Sequence, residues 1–219
     1  MAASTRAFVR RHTRLRPVPG LEEVRLHLAD EVNPLWHAVG VETGDVDPAL
    51  PYWAFAWGGG LALGRYLREH PDAVAGRRVF DLGSGSGLVA IAAMLAGATS
   101  ATAVDIDPMA IEAIGLNAKA NGVRVAAVRR DVLDDEPPEC DVVLAGDCWY
   151  ESGFAARVRP WLRRAKDAGI AVLLGDPGRR YLPVDDLTEL AAYEVRTTTE
   201  LEDMDRKVAR TYALRPARS

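Results

Sequence analysis

The sequence predicts an α/β fold in which helices cover both faces of a mostly parallel sheet. Three observations carry that prediction. From Arg78 onward, short branched-apolar runs alternate with longer segments of helical periodicity, an order that needs right-handed crossovers between parallel strands. The first of these strands, Val79 to Leu82, runs into Gly83-Ser84-Gly85-Ser86-Gly87, and Leu88 to Leu95 is then all small or apolar. A strand, a glycine turn and a helix in that order make a ligand cradle, because the glycines clear the turn of Cβ atoms and the helix aims its first N–H groups there. Third, Tyr193 to Thr199 and Val208 to Leu214 are β-rich and flank a charged turn around Asp203 to Lys207, which predicts a terminal hairpin with an antiparallel last strand.

Taken in order, the first twenty residues hold Arg6, Arg10, Arg11, Arg14 and Arg16 and no acid. This reads as a basic arm packed on the domain, with a transit peptide as the alternative. Leu21, Val24, Leu28, Val32, Leu35 and Trp36 recur at helical spacing until Asn33-Pro34 interrupts them, so a helix should end near Asp30 with a short turn after it. Gly40 to Pro51 is a mixed-charge loop. Tyr52, Trp53, Phe55 and Trp57 then run into Gly58-Gly59-Gly60; Tyr52 and Phe55 read as core plugs and Trp57 as a pocket wall before a helix from Leu61 to Arg68. Residues 1–60 are thus expected to be an arm and helices packed on a core domain of residues 61–219, the two forming one unit.

Beyond the glycine turn, Gly97 stops the first helix and a strand runs from Ala101 to Asp105. The next helix has Asp107 as its N-cap, Pro108 at its first position and Asn121-Gly122 as its stop. Strand Arg124 to Val128, an acidic linker at Asp134 to Pro138, strand Asp141 to Ala145, helix Phe154 to Ala168 and strand Ile170 to Leu174 complete the alternation.

A chain of 219 residues with 48% hydrophobic and 26% charged residues can bury a sizeable core. No apolar run approaches the roughly 20 residues of a membrane span. The net charge of −4 gives no general argument for nucleic acid or acidic lipid as a partner, and neither is expected. Cys140 and Cys148 lack metal or redox spacing, and the four histidines are scattered, so no metal site is expected. Reduced, buried thiols suit a cytoplasmic compartment.

The glycine turn discriminates between ligands. A dinucleotide fingerprint, G-x-G-x-x-G, would need glycine at position 88, where this chain has Leu88; the spacing here is G-x-G-x-G through Gly83, Gly85 and Gly87. Asp81 can accept a hydrogen bond from an amino-acid ammonium, which S-adenosylmethionine has and a nicotinamide dinucleotide lacks. At the end of the second strand a carboxylate can accept from both ribose hydroxyls. Asp107 is explained as a helix cap, which leaves Asp105 for that task. Asp131, after the third strand, is placed either to receive an adenine amine or as a surface turn acid. Through Phe80 to Gly87 and Val104 to Pro108 the chain resembles the class I S-adenosylmethionine-dependent methyltransferases. That resemblance implies a seven-stranded, Rossmann-like sheet with an antiparallel last strand, and it assigns Trp57 and Gly59 to the cofactor pocket with Asp81, the three glycines, Asp105 and Asp131.

A narrower resemblance rests on three segments together: Pro51 to Gly59, Gly146-Asp147-Cys148-Trp149-Tyr150, and Gly175-Asp176-Pro177-Gly178-Arg179. They are similar to the lysine methyltransferases acting on the electron-transfer flavoprotein β subunit, within a group marked by a D-x-x-Y element. This implies a protein substrate; Asp176 to Arg180 reads either as a tight turn after a strand or, through Asp176 and Arg179, as the lining of the substrate channel. Asp147 and Tyr150 follow a strand at the carboxyl edge of the sheet, where they can hold an amine, and Trp149 and Trp57 can offer aromatic faces to a cation. A free lysine needs about 4.6 kcal/mol to become neutral at pH 7, and Asp147 opposes that loss, so its expected task is to dock and orient the amine. A small-molecule N-methyltransferase of the nicotinamide type, or a non-catalytic module that keeps the cofactor fold, are the competing readings. The sequence is silent on oligomeric state.

Overall fold

The computed structural model describes residues 2–196 and 206–217. The chain begins with helix α1 (Ala2–His12), a hairpin of β1 (Arg14–Val18) and β2 (Leu21–Leu28), and helices α2 (Val32–Thr43) and α3 (Gly58–Glu69). The alternating part follows as β3 (Arg78–Leu82), α4 (Leu88–Leu95), β4 (Ser100–Asp105), α5 (Pro108–Ala120), β5 (Ala126–Arg129), β6 (Val142–Gly146), α6 (Ser152–Asp167) and β7 (Ala171–Asp176). The hairpin of β8 (Leu187–Arg196) and β9 (Arg206–Leu214) closes the described chain.

The main sheet has seven strands in the order β5-β4-β3-β6-β7-β9-β8. Strands β5 to β7 pair in parallel, and β9 runs antiparallel to both β7 and β8. Strand residues alternate between two cores, as the pleat requires. Phe80, Leu82, Val143, Ala145, Val172 and Leu174 point toward Val158, Trp161 and Leu162 of α6. Val79, Val142, Leu144 and Leu173 point the other way, toward Leu63 and Leu67 of α3 and Val89, Ala90 and Ala93 of α4. The predicted α/β class, parallel alternation and antiparallel last strand are all present. The strand order reverses between β3 and β6, so the ends of those two strands open a crevice at which open α/β sheets bind ligands.

The N-terminal third departs from expectation. The segment from Leu21 is a strand, not a helix: Leu21, Val24, Leu26 and Leu28 are its buried positions, paired antiparallel with β1 across the Pro19-Gly20 turn. Asn117 and Asn121 of α5 hold its outer edge. Asn117 Oδ1 accepts from the His27 N–H at 2.7 Å, and Asn121 bridges both the N–H and the carbonyl of Arg25. The hairpin then packs its apolar face over Leu61 and Ala62 of α3 and Leu88, Ile91 and Ala92 of α4. Asn33-Pro34 does not interrupt a helix; both residues lie in the first turn of α2, where a missing proline N–H leaves no helical bond unmade. That helix continues to Thr43, shortening the expected loop. The basic arm is α1, which packs Phe8 and Val9 against Met109, Ala110 and Ala113 of α5 and pairs Arg6 with Glu112.

Strand β8 starts at Leu187, six residues before the expected Tyr193. The parts of that expectation on Thr197 to Thr199 and Asp203 to Asp205 lie outside the described residues. Cys140 and Cys148 are unpaired thiols, half-buried and buried. No helix among the described residues is long and apolar enough to cross a membrane.

Candidate active site

A cavity of about 430 Å³ opens at the carboxyl ends of β3, β4 and β6, within the size range of small-ligand sites. Its floor is the glycine turn. Gly85 adopts φ 54°, in the left-handed region that glycine enters without strain, and its N–H donates to Asp105 at 2.8 Å. Gly87 caps α4 at φ 81° but does not line the cavity; a Cβ there would meet Ile114 of α5 at 3.2 Å, so this glycine serves helix packing.

Carboxylates ring the glycine side. Asp81 is 1% exposed and accepts from the Ser84 hydroxyl at 2.5 Å and the Ala90 N–H at 3.2 Å. Burial pushes its carboxyl up to about 7. Asp105 accepts from the N–H groups of Gly85 and Asp107, and burial raises it as well. Asp107 caps α5 through the Met109 N–H at 2.7 Å, as its place before Pro108 predicts. Asp131 also lines the cavity, but its two oxygens take a forked pair of bonds from Arg157 at 2.9 and 3.2 Å, which holds it below the usual carboxylate range. Between Asp105 and Asp107, Ile106 stays 66% exposed, an apolar wall that the residue pattern did not single out.

The opposite wall is aromatic. Tyr150 is 43% exposed, with its ring 5.1 Å from Tyr52 and 5.4 Å from Phe154; Tyr52 in turn lies 5.4 Å from Trp57, whose indole N–H donates to the Tyr52 carbonyl. Burial, followed by the neighbouring Tyr52, raises the Tyr150 phenol, so it stays protonated near neutrality. Tyr52 is therefore part of the wall, whereas Phe55 is buried as expected and still touches the cavity.

Asp147 stands between the two walls at φ 60°, the one non-glycine residue with positive φ among the described residues. Asp147 caps a helix. The helix is α3, from across the chain: Oδ1 accepts from the Gly59 N–H at 3.0 Å and Oδ2 from the Gly60 N–H at 2.7 Å. Arg179 donates to Oδ1 at 2.5 Å and lies 3.5 Å from Asp176. A carboxylate offers about four acceptor sites; these three donors leave one on Oδ2, and Asp147 lines the cavity.

Three residues assigned to the site by sequence sit behind it. Trp149 is 1% exposed within the α6-side core, not on a substrate channel, because the turn after β6 sends Cys148 and Trp149 inward and Tyr150 outward. Asp176 is fully buried; its Oδ1 accepts from the N–H groups of Gly178 and Arg179, so it shapes the turn and backs Arg179. Gly59 does not touch the cavity: a Cβ there would lie 2.6 Å from the Gly175 carbonyl carbon, so its bareness allows α3 to rest on the end of β7. Arg130, Arg157 and Arg179 line the cavity, and each is paired with a carboxylate, Asp135, Asp131 and Asp147 respectively.

Residues 66–146 match the family model described as ribosomal protein L11 methyltransferase (PrmA). The electron transfer flavoprotein beta subunit lysine methyltransferase of Xenopus laevis is 36% identical over 92% of this chain and 83% of its own. The rat protein of that name is 41% identical over 72% of this chain, which spans 61% of the rat protein's length. Among solved structures, a ribosomal protein L11 methylase from Lactobacillus delbrueckii subsp. bulgaricus superposes with a TM-score of 0.53 at 22% identity, covering 77% of this chain and 83% of that one. The last likeness shows the fold, and the Xenopus laevis relative, matched over most of both chains, shows the family: this chain belongs to the electron transfer flavoprotein β subunit lysine methyltransferases.

Proposed function

We propose that this protein is an S-adenosylmethionine-dependent protein-lysine N-methyltransferase whose substrate is the electron transfer flavoprotein β subunit or a protein like it. The observation that carries the proposal is the meeting, in one cavity, of the buried carboxylates of the glycine turn with Asp147, Tyr150 and their aromatic neighbours. The acid-rich glycine side suits a cofactor with a cationic amino-acid end and donor hydroxyls. It suits a pyrophosphate poorly, since the arginines on the wall are already paired. Asp81 would hold the ammonium, and a cation there favours the ionised carboxylate that burial disfavours. Asp105 would take the ribose hydroxyls, and Ile106 the face of the adenine. When bound, this cofactor supplies a sulfonium methyl, an electrophile that needs no acid catalyst.

The chain's own residues then have two tasks. Oδ2 of Asp147 accepts one N–H of the lysine and directs it, so that positioning supplies much of the acceleration. Tyr52, Trp57 and Tyr150 strip water from the amine, which favours its neutral form. Tyr150, held protonated, acts as a hydrogen-bond partner and not as a base. Unpaired Cys140 and Cys148 suit a reducing, cytoplasmic setting.

The test is incubation with methyl-labelled S-adenosylmethionine and either recombinant electron transfer flavoprotein β subunit or nicotinamide. Label on lysine of the protein is the expected result; label on nicotinamide alone refutes it.

A further inference from the structure

We propose that Arg179 is a positioning residue of the reaction: it fixes the carboxylate of Asp147 and offsets its charge, so that Asp147 can hold a lysine amine without locking it in the ammonium form. The inference rests on the lysine reading given above. Asp147 has a conflict to resolve, because an orienting carboxylate beside an amine stabilises the protonated, unreactive state. Its surroundings resolve it with positive charge on both carboxylate oxygens, the larger share on Oδ1. The N-terminus of α3 contributes about half an elementary charge through the Gly59 and Gly60 N–H groups. Arg179 contributes a full one at 2.5 Å, on Oδ1, away from the oxygen with an open acceptor site.

Asp176 keeps Arg179 in place. Fully buried, it accepts the backbone N–H of Arg179 at 2.6 Å and lies 3.5 Å from the guanidinium, so the arginine is gripped at both ends. Among the described residues, the other titratable groups facing this cluster are Tyr52 from the turn before α3, Cys148, Tyr150 and Glu151 from the β6–α6 connection, and Asp81 and Asp105 across the cavity. All of them are acids. With Asp147 and Asp176 ionised, the triad carries a net charge of about −1; without Arg179 it would carry about −2.

The test is the pH profile of kcat, which reports ionisations within the enzyme–substrate complex, for methylation of the flavoprotein β subunit by the full chain. A neighbouring charge shifts a pKa by about 1–3 units, so Arg179→Gln should move the acidic limb up by about one pH unit, and Arg179→Lys should largely restore it. Asp176→Asn, which keeps an oxygen for the Gly178 and Arg179 N–H groups, should move the limb the opposite way at pH above about 6, where Asp176 ionises. A merely structural role would lower activity by one factor at all pH values and in both variants, and limbs left in place would overturn the inference. Asp176→Asn decides the matter even where Arg179→Gln fails to fold, since an unmoved or upward-moved limb is fatal by itself. Wild-type enzyme that leaves the subunit unlabelled refutes the lysine reading, and the inference with it.

Discussion

Substituting Gly59 by alanine tests how the wall that bears Asp147 is built. A Cβ on Gly59 would lie 2.6 Å from the carbonyl carbon of Gly175 and 2.8 Å from Oδ2 of Asp147, where ordinary contact begins at 3.4 Å. The nearest obstacle is backbone, the Gly175 carbonyl oxygen, which is closer still, so α3 must lift from the end of β7 by about 1 Å or more to relieve it. That displacement stretches the 3.0 and 2.7 Å bonds from Gly59 and Gly60 to Asp147 to the limit of hydrogen bonding or beyond. Bonds to a charged group contribute about 1.5–3 kcal/mol each, and alanine returns about 1 kcal/mol of helix propensity. The net cost is about 2–5 kcal/mol, or a Tm lower by about 5–15 °C for a chain of this size. Gly115→Ala is the control: it lies in α5, where a Cβ meets nothing nearer than the Arg6 guanidinium at 3.9 Å, so it should gain about 0.5–1 kcal/mol. Urea and thermal unfolding of both variants, monitored by circular dichroism, give the answer. A Gly59→Ala protein as stable as wild type would show that α3 does not rest on the strand ends, and the account of Asp147 as its cap would fall with it.

Three more outcomes follow from the same geometry. Asp147→Ala should lower turnover by about 100-fold or more through lost positioning and also cost about 2–4 kcal/mol in unfolding experiments, because two helix N–H groups lose their acceptor; cofactor affinity by calorimetry should change little. Asp81→Asn should weaken S-adenosylmethionine binding while making the free protein more stable than wild type at pH 8. The sign follows from the raised carboxyl: protons bind the folded state more tightly than the unfolded one, so wild-type stability falls, relative to the variant, as pH rises from about 4 to about 7, and a Tm difference that does not vary with pH would refute it. Trp149→Phe should cost about 1–3 kcal/mol by opening space beside α6, yet leave KM for a protein substrate unchanged; a raised KM would return Trp149 to the substrate channel.

What was legible in the sequence was local. The glycine turn, Asp107 before Pro108 and the alternation from Arg78 each carry their signal within a few residues, and the structure repeats them almost position for position. The N-terminal hairpin misled because its register shifts between Pro17 and Val18. The buried set Leu21, Val24, Leu26 and Leu28 therefore mixes a spacing of three with a spacing of two, and its first members fit a helix equally well. The D-x-x-Y spacing of Asp147 and Tyr150 marked the right turn, but the partners that define Asp147 lie 87 and 88 residues earlier, on another element. Trp149 shows the same limit from the other side: an aromatic within a functional turn has two directions to point, and only packing against α6 chooses between them.

The strand order of the last hairpin has a bearing on how the enzyme matures. Strand β9 sits between β7 and β8 although it follows β8 in the chain, with Arg210 opposite Asp176. While the chain leaves the ribosome, β7 therefore waits with one edge bare, and the segment bearing Arg179 hangs from an unfinished sheet. The hairpin β8–β9 can form by itself, but its docking is a non-local step, the slow kind in folding. Until it docks, the edge is a template for another strand. The Asp147–Arg179 side of the cavity is thus completed only once β9 has been made, and a chain truncated ahead of Arg206 should aggregate through β7, as measured by light scattering, while its glycine turn is already formed.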